Sequence, residues 1–306
     1  MTDSTLPAPA LLDWVRKELR TPVSVTAHPS PTREDSRVWA LRRPDGVRFC
    51  LKVSSRPLSY ERETFALRHA VPALGSGHAP QLRASSAEHL ALLLTAVPGR
   101  PLGRLKLTPA EEVRAHWQGG ALLARLHAAG DLSGPRRAEA ARSLRAAADE
   151  AEEYLQQAAG RLTPAERRLV RELTERLRCL PPLPLAFVHG AARPRNLLWS
   201  PASAQACWIG FERARFATVV HDFVPMSCGI WAERPELAAA CFRGYGRELV
   251  PEEHYALRGL AALDAVRCLV RGPAHHDAAT TARGRRTLDQ LTAGAFGELH
   301  ALARSR

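Results

Sequence analysis

The chain has 306 residues, 45% of them hydrophobic, which is enough to bury a sizeable core in one two-lobed domain or two small ones. Its formal charge is +12, yet lysine occurs only at Lys17, Lys52 and Lys106, so 40 of the 43 basic residues are arginine. These are spread along the chain without a block of like charge or interleaved aromatics, and nucleic-acid binding is therefore not favoured. No run of about 18 apolar residues occurs, and residues 1–30 lack a basic-then-apolar leader pattern. A membrane partner is thus not expected, and a cytoplasmic location is. Cys50, Cys179, Cys207, Cys228, Cys241 and Cys268 are scattered without a C-x-x-C pair, which fits single thiols in a reducing compartment.

Residues 1–10 are polar and Pro-rich and read as unstructured. Leu11–Leu19 reads as an amphipathic helix, with Leu11, Leu12, Val15 and Leu19 on one face. The period then changes to two. Val23, Val25 and Ala27 alternate, as do Val38 and Ala40, then Val47, Phe49 and Leu51, with a Pro-Asp-Gly turn joining the last two runs. Leu58–Val71 reads as a helix carrying Glu61 and Glu63. Two residues apart, these point in different directions, so only one can face the preceding strand. Gln81–Ala84 and Leu90–Val97 read as two more strands, the second apolar enough to be central. The linker "PGRPLG" follows, which puts a boundary near residue 98.

Beyond it the pattern is helical. Thr108-Pro109 and Thr163-Pro164, each followed by glutamates, are helix starts. The first helix runs to about Ala129 and the second to about Cys179, with Ala138–Ala159 between them. After "PPLP", three short apolar runs (Leu185–Val188, Leu197–Trp199 and Ala206–Ile209) read as buried strands. Helices are expected over Val220–Trp231, Pro235–Tyr245, Pro251–Val270 and Arg283–Ala303. His275-His276-Asp277 is read as a surface loop, because adjacent residues rarely share one metal.

Two features point to chemistry. The loop between the first two of those short strands, "HGAARPRN", gathers His189, Gly190, Arg193, Pro194, Arg195 and Asn196, and loops between strands commonly carry functional side chains. Lys52 sits in an apolar strand of a chain that otherwise uses arginine. Its compact ammonium suits a phosphate oxygen or a single carboxylate, although an ordinary edge-of-strand lysine reads the same way.

The order of these parts resembles the aminoglycoside phosphotransferase family, a branch of the protein-kinase-like fold. "HGAARPRNLLW" is similar to that family's H-G-D-x-x-x-x-N pattern, with His189, Gly190 and Asn196 in register. "WIGFERARF", followed by Asp222 in "VVHDFV", is similar to its I-D-F-E-R-A segment and later aspartate. The resemblance spans roughly residues 20–270. It implies an α+β fold: a tail and helix over residues 1–20, a β-rich lobe over 21–97, and a helical lobe over 98–306 that holds both motifs. It also implies that Lys52 and Glu63 form the ion pair that positions ATP phosphates, that Thr95 and Val97 belong to the adenine-side hinge, and that Asn196, with Glu212 in reach, is what remains for a metal.

The resemblance breaks at three places. Ala191 stands where the catalytic aspartate falls, and Gly210 stands where the metal-binding aspartate falls. The segment 28–37, where a phosphate-covering loop belongs, has two prolines and no glycine. The catalytic carboxylate orients and deprotonates the acceptor, and the metal neutralises developing charge. The expectation is therefore a pseudokinase with a binding, scaffolding or regulatory role. ATP or another nucleotide is its implied ligand, Mg²⁺ is not favoured, and a protein or small molecule is its partner. Two alternatives stay open. One is an active ATP-dependent small-molecule phosphotransferase with displaced groups, in which Glu212 binds metal and Asp222 or His189 is the base. The other is a different chemistry on the same fold in a natural-product pathway. Residues 135–160 and 225–280, where acceptor specificity resides in the family, read as Ala/Arg-rich without an acidic cluster for a polycation, so aminoglycosides are not the favoured substrate.

Overall fold

The computed structural model describes residues 6–27, 36–158 and 160–294. In chain order the elements are α1 (Pro9–Leu19), β1 (Ser24–Ala27), β2 (Ser36–Arg42), β3 (Arg48–Ser54), α2 (Pro57–His69), β4 (Leu82–Ser86), β5 (Ala91–Thr95) and β6 (Arg100–Pro101). Then come α3 (Pro109–Ala128), α4 (Gly134–Gln157), α5 (Pro164–Glu175), β7 (Leu185–Val188), β8 (Leu197–Ser200), β9 (Gln205–Trp208) and β10 (Arg215–Thr218). The chain continues with α6 (Val224–Ser227), α7 (Ile230–Glu233), α8 (Pro235–Tyr245), α9 (Pro251–Ala274) and α10 (Ala278–Thr292). Residues 28–35, most of the expected phosphate-covering loop, lie outside the described residues, as do 1–5 and the end of the last expected helix from residue 295. Contacts divide the chain into two compact units. One holds Met1–Leu105 with Arg195–Ala214, the other Lys106–Pro194 with Arg215–Arg306.

The first unit is built on a five-stranded antiparallel sheet of order β1-β2-β3-β5-β4. Period-two alternation sorts its side chains between the faces. Trp39, Leu41, Phe49, Leu51, Ala91 and Leu93 gather with Leu11 and Val15 of α1 into one core cluster. Cys50 and Lys52, at the alternate positions of β3, point the other way. On that side α2 packs against β3 and β5 with Tyr60, Glu63, Thr64, Ala66 and Leu67 buried. A second sheet of order β6-β8-β9 completes the unit. Its strands explain why the division falls after Leu105 rather than at residue 97, and why Arg195–Ala214 leave the helical part expected to hold them. Pairing of β6 with β8 binds the linker to that hairpin, and Gly99 makes the approach possible. Its φ is +99°, and a Cβ there would lie 2.6 Å from the Trp199 carbonyl oxygen.

The second unit is mostly helical. Thr108 and Thr163 close capping boxes with Glu111 and Glu166 at the starts of α3 and α5. Each such cap stabilises its helix by about 1 kcal/mol. Helices α3 and α8 pack closely because Gly120 faces the Cys241 carbonyl and Gly244 faces the Trp117 carbonyl. A methyl group on either glycine would overlap that backbone. The strands flanking the 189–196 loop are not partners. β7 pairs with β10, a strand the sequence did not announce, while β8 pairs with β9. The expected helix Val220–Trp231 is instead a 3-10 turn over Val219–Asp222 followed by α6 and α7. Pro225 has no amide proton to continue a helix from the turn, and Gly229, at φ −122° and ψ −119°, leaves helical geometry between α6 and α7. α10 starts at Ala278, ahead of Arg283, because Asp277 accepts hydrogen bonds from the Thr280 amide at 2.9 Å and its hydroxyl at 2.6 Å.

Candidate functional site

Lys52 is the centre of the first unit's polar chemistry. Its Nζ lies 2.6 Å from Glu63 Oε2 and 2.8 Å from Glu212 Oε2. All three side chains are largely buried, with 7%, 2% and 12% of their surface exposed. Glu63 sits on the same helical face as Tyr60 and Leu67, whereas Glu61 is exposed. The 3.6-residue period of α2 therefore identifies which glutamate faces the strand. The other Glu63 oxygen accepts a hydrogen bond from the Phe211 amide at 3.3 Å. Burial alone would lower the Lys52 pKa, but the charges of Glu63 and Glu212 outweigh it and hold it above the ordinary lysine value. For Glu63, burial and the Glu212 charge push the pKa up, with Lys52 opposing.

Glu212 reaches Lys52 because of the turn before it. Gly210 has φ +79°, a left-handed conformation that side chains rarely adopt. A Cβ at this position would stand 3.3 Å from Glu212 Oε2 and 3.3 Å from the Asn196 side-chain oxygen. The Glu212 carboxylate thus lies over the glycine, beside the place where a side chain at 210 would begin. Asn196 is buried and its carbonyl accepts a hydrogen bond from the Ile209 amide at 3.0 Å. As donors for Mg²⁺ this set fits poorly. It offers one amide oxygen and one carboxylate whose oxygen is held by an ammonium, where Mg²⁺ requires hard oxygens in near-octahedral order. Among the described residues no three His, Cys, Asp or Glu side chains are grouped to hold a metal ion.

The second unit carries residues 189–194 of the loop, and Asp222 organises them. Its Oδ2 accepts from the His189 amide at 2.6 Å and its Oδ1 from the Gly190 amide at 2.7 Å. His127 Nε2 lies 2.9 Å from Oδ2, and its Nδ1 lies 2.8 Å from the Tyr245 hydroxyl. The carboxylate requires the ring proton on Nε2. Burial works against the Asp222 charge, but the two histidines and the amide donors prevail and hold its pKa below the usual carboxylate range. Asp222 and His189 are both 0% exposed. Both Asp222 oxygens are occupied by the loop amides and the His127 ring, which makes it an anchor of the loop. Ala191 is 3% exposed and presents only a methyl group. Arg193 lies 3.6 Å from Asp264, which is also paired with Arg283.

The remaining expected residues fall into supporting roles. Thr95 ends β5, where its amide donates to the Gln81 carbonyl at 2.9 Å and its hydroxyl accepts from the Gln81 amide at 2.8 Å. Val97 follows half-buried. The acidic run at the end of α4, which sequence reading passed over, is largely neutralised. Asp149, Glu150 and Glu152 pair with Arg178, Arg267 and Arg171 at 2.7, 2.8 and 3.0 Å. His127 and Tyr245 were missed as parts of the loop's support. The available signal was a histidine in the α3 apolar stripe, four residues after Leu123.

The protein has an α+β, protein-kinase-like fold. A sequence profile of the phosphotransferase enzyme family matches residues 27–263, and the chain belongs to that family. No curated relative matches it by sequence. Among solved structures it is similar to the streptomycin–ATP ternary complex of APH(2")-IIa, at 14% identity and a TM-score of 0.66 over 93% of this chain and 97% of that one. It is also similar to macrolide 2'-phosphotransferase MphH from Brachybacterium faecium, at 20% identity and 0.58 over 91% and 96%. APH(3'')-Id from Streptomyces rimosus matches at 20% identity and 0.53 over 86% and 99%. These likenesses bear on the fold. No helix among the described residues is long and apolar enough to cross a membrane.

Proposed function

We propose that this phosphotransferase-family protein has lost phosphoryl transfer and acts as a pseudokinase, a binding or regulatory component that takes an anionic ligand of the nucleotide class at Lys52. The observation that carries this reading is Ala191. It is buried in a loop whose frame is intact, with His189 and Gly190 still tied to Asp222, yet it offers a methyl group where phosphoryl transfer calls for a carboxylate on the acceptor hydroxyl. Gly210 supports the same reading, since the adjoining donors fit Mg²⁺ poorly. Loss of a single group that stabilises the transition state costs about 10²–10³ in rate, and here two positions are changed.

The test is ADP release from ATP with a panel of small alcohols, aminoglycosides and macrolides. Turnover above the background of ATP hydrolysis without protein is not expected, and sustained turnover by the natural chain would overturn the reading. Thermal shift with ATP, with and without Mg²⁺, then reports binding separately, since a ligand of the native state alone raises its stability. A second reading, an active kinase with displaced groups, has one observation in its favour. The Glu212 carboxylate lies beside the place where a side chain on residue 210 would begin. It requires that Glu212→Gln abolish turnover.

A further inference from the structure

We propose that Glu212 is a built-in anionic plug on Lys52 and decides what that lysine can bind. The inference rests on the reading that Lys52 faces a phosphate-bearing ligand. An ammonium has three donor directions and no acceptor. Glu63, carried on α2 and bonded to the Phe211 amide, takes one and holds the lysine in place. Glu212 takes another, at 2.8 Å, with the charge and oxygen chemistry of a phosphate oxygen. A further anion competes with the Glu212 carboxylate for that donor and meets its negative charge at close range until Glu212 withdraws.

Two observations make Glu212 the movable member. It is the most exposed of the three side chains, at 12% against 2% for Glu63, and it stands on the loop after β9 rather than on a helix or strand. Gly210 is what admits it. A side chain at 210 would meet the Glu212 oxygen at 3.3 Å and would have to adopt φ +79°. Positions 210 and 212 are therefore coupled. Restoring an aspartate at 210 without changing Glu212 would crowd two carboxylates against one lysine.

The experiment is calorimetric titration of metal-free ATP, in EDTA, into the natural chain, Glu212→Gln and Glu212→Ala, each checked by thermal melting. The expected result is weak binding by the natural chain and a gain of about tenfold or more in both variants, the scale of one removed charge at close range. Adding Lys52→Met to Glu212→Gln should erase the gain. Equal or weaker binding by the folded variants would overturn the proposal, as would a gain that survives Lys52→Met. The natural chain alone also decides, because a metal-free Kd below about 10 μM is incompatible with a plugged lysine. The readout is binding, so the proposal stands or falls separately from the turnover assay that tests the loss of catalysis.

Discussion

The two units each bury a charged centre, and the two are balanced in opposite ways. In the first, one cation, Lys52, is shared by two carboxylates, Glu63 and Glu212. In the second, one carboxylate, Asp222, is surrounded by donors from the His189 and Gly190 amides and the His127 ring. The Asp222 centre is saturated and immobile, and it shapes a loop. The Lys52 centre shares one ammonium between two carboxylates and has one member on a loop. The contrast separates what the fold needs from what the chemistry needs. The anchoring carboxylate stands at 222, while 191 and 210 hold an alanine and a glycine, which is the difference that the proposed loss of phosphoryl transfer rests on.

The contrast can be broken from the second unit first. Asp222→Ala should cost about 4 kcal/mol in urea unfolding, because it strands the His189 and Gly190 amides and the His127 ring N–H. Asp222→Asn, which keeps an acceptor, should cost about half of that. A loss under about 1 kcal/mol for Asp222→Ala would remove it as the loop's anchor. Lys52→Met comes next, at about 3 kcal/mol, since it leaves two buried carboxylates without their cation. Pairing it with Glu212→Gln should recover a large part of the loss, and strict additivity of the two changes would show that they are not coupled. Gly210→Ala should cost about 1–2 kcal/mol for its left-handed backbone and loosen Glu212 from Lys52, which the ATP titration would register as tighter binding.

The smallest effect is in pH dependence, where the units should differ in sign. Burial, with Arg215 adding to it, depresses His221 from 6.5 to about 3. The unfolded chain therefore takes up its proton first, and stability present above pH 6.5 is lost as pH falls towards 3. Asp222, held below 3.8, adds a further loss on the acid side of that value. Glu63, raised above 4.5, acts the other way, because the folded chain binds its proton first and gains stability as pH falls. Lys52, raised above 10.5, contributes fully below that value and is lost as pH rises through its folded value. Replacing His221 with Gln should reduce the stability lost between pH 7 and 5.5 by about 1 kcal/mol, read from urea midpoints at the two pH values. An unchanged slope would show that His221 is not the group that takes up the proton.

Much of the architecture was legible along the chain. Alternation located β2, β3 and β5, the Thr-Pro starts located α3 and α5, and the bounds of α8 agree with the expected Pro235–Tyr245. These signals are local, since caps, turn residues and periodicity act within a few residues. Less legible were elements set by distant partners. β10 is four residues long and exists by pairing with β7, and the Val220–Trp231 stretch breaks where Pro225 and Gly229 outweigh its apolar character.

The site divides in the same way. By itself the sequence determined which chemical groups are available: one lysine singled out among arginines, His189 and Asn196 at a set spacing, and Ala191 and Gly210 without functional side chains. Only the tertiary structure decided how those groups are used. Lys52 and Glu212 lie 160 positions apart, and no periodicity links them. A left-handed glycine turn brings the Glu212 carboxylate onto the ammonium, where the family resemblance had implied a metal donor. Asp222 anchors the loop because folding buries it completely among amide donors. Residue identity sets the charges, and the long-range closure of the chain sets which charges meet.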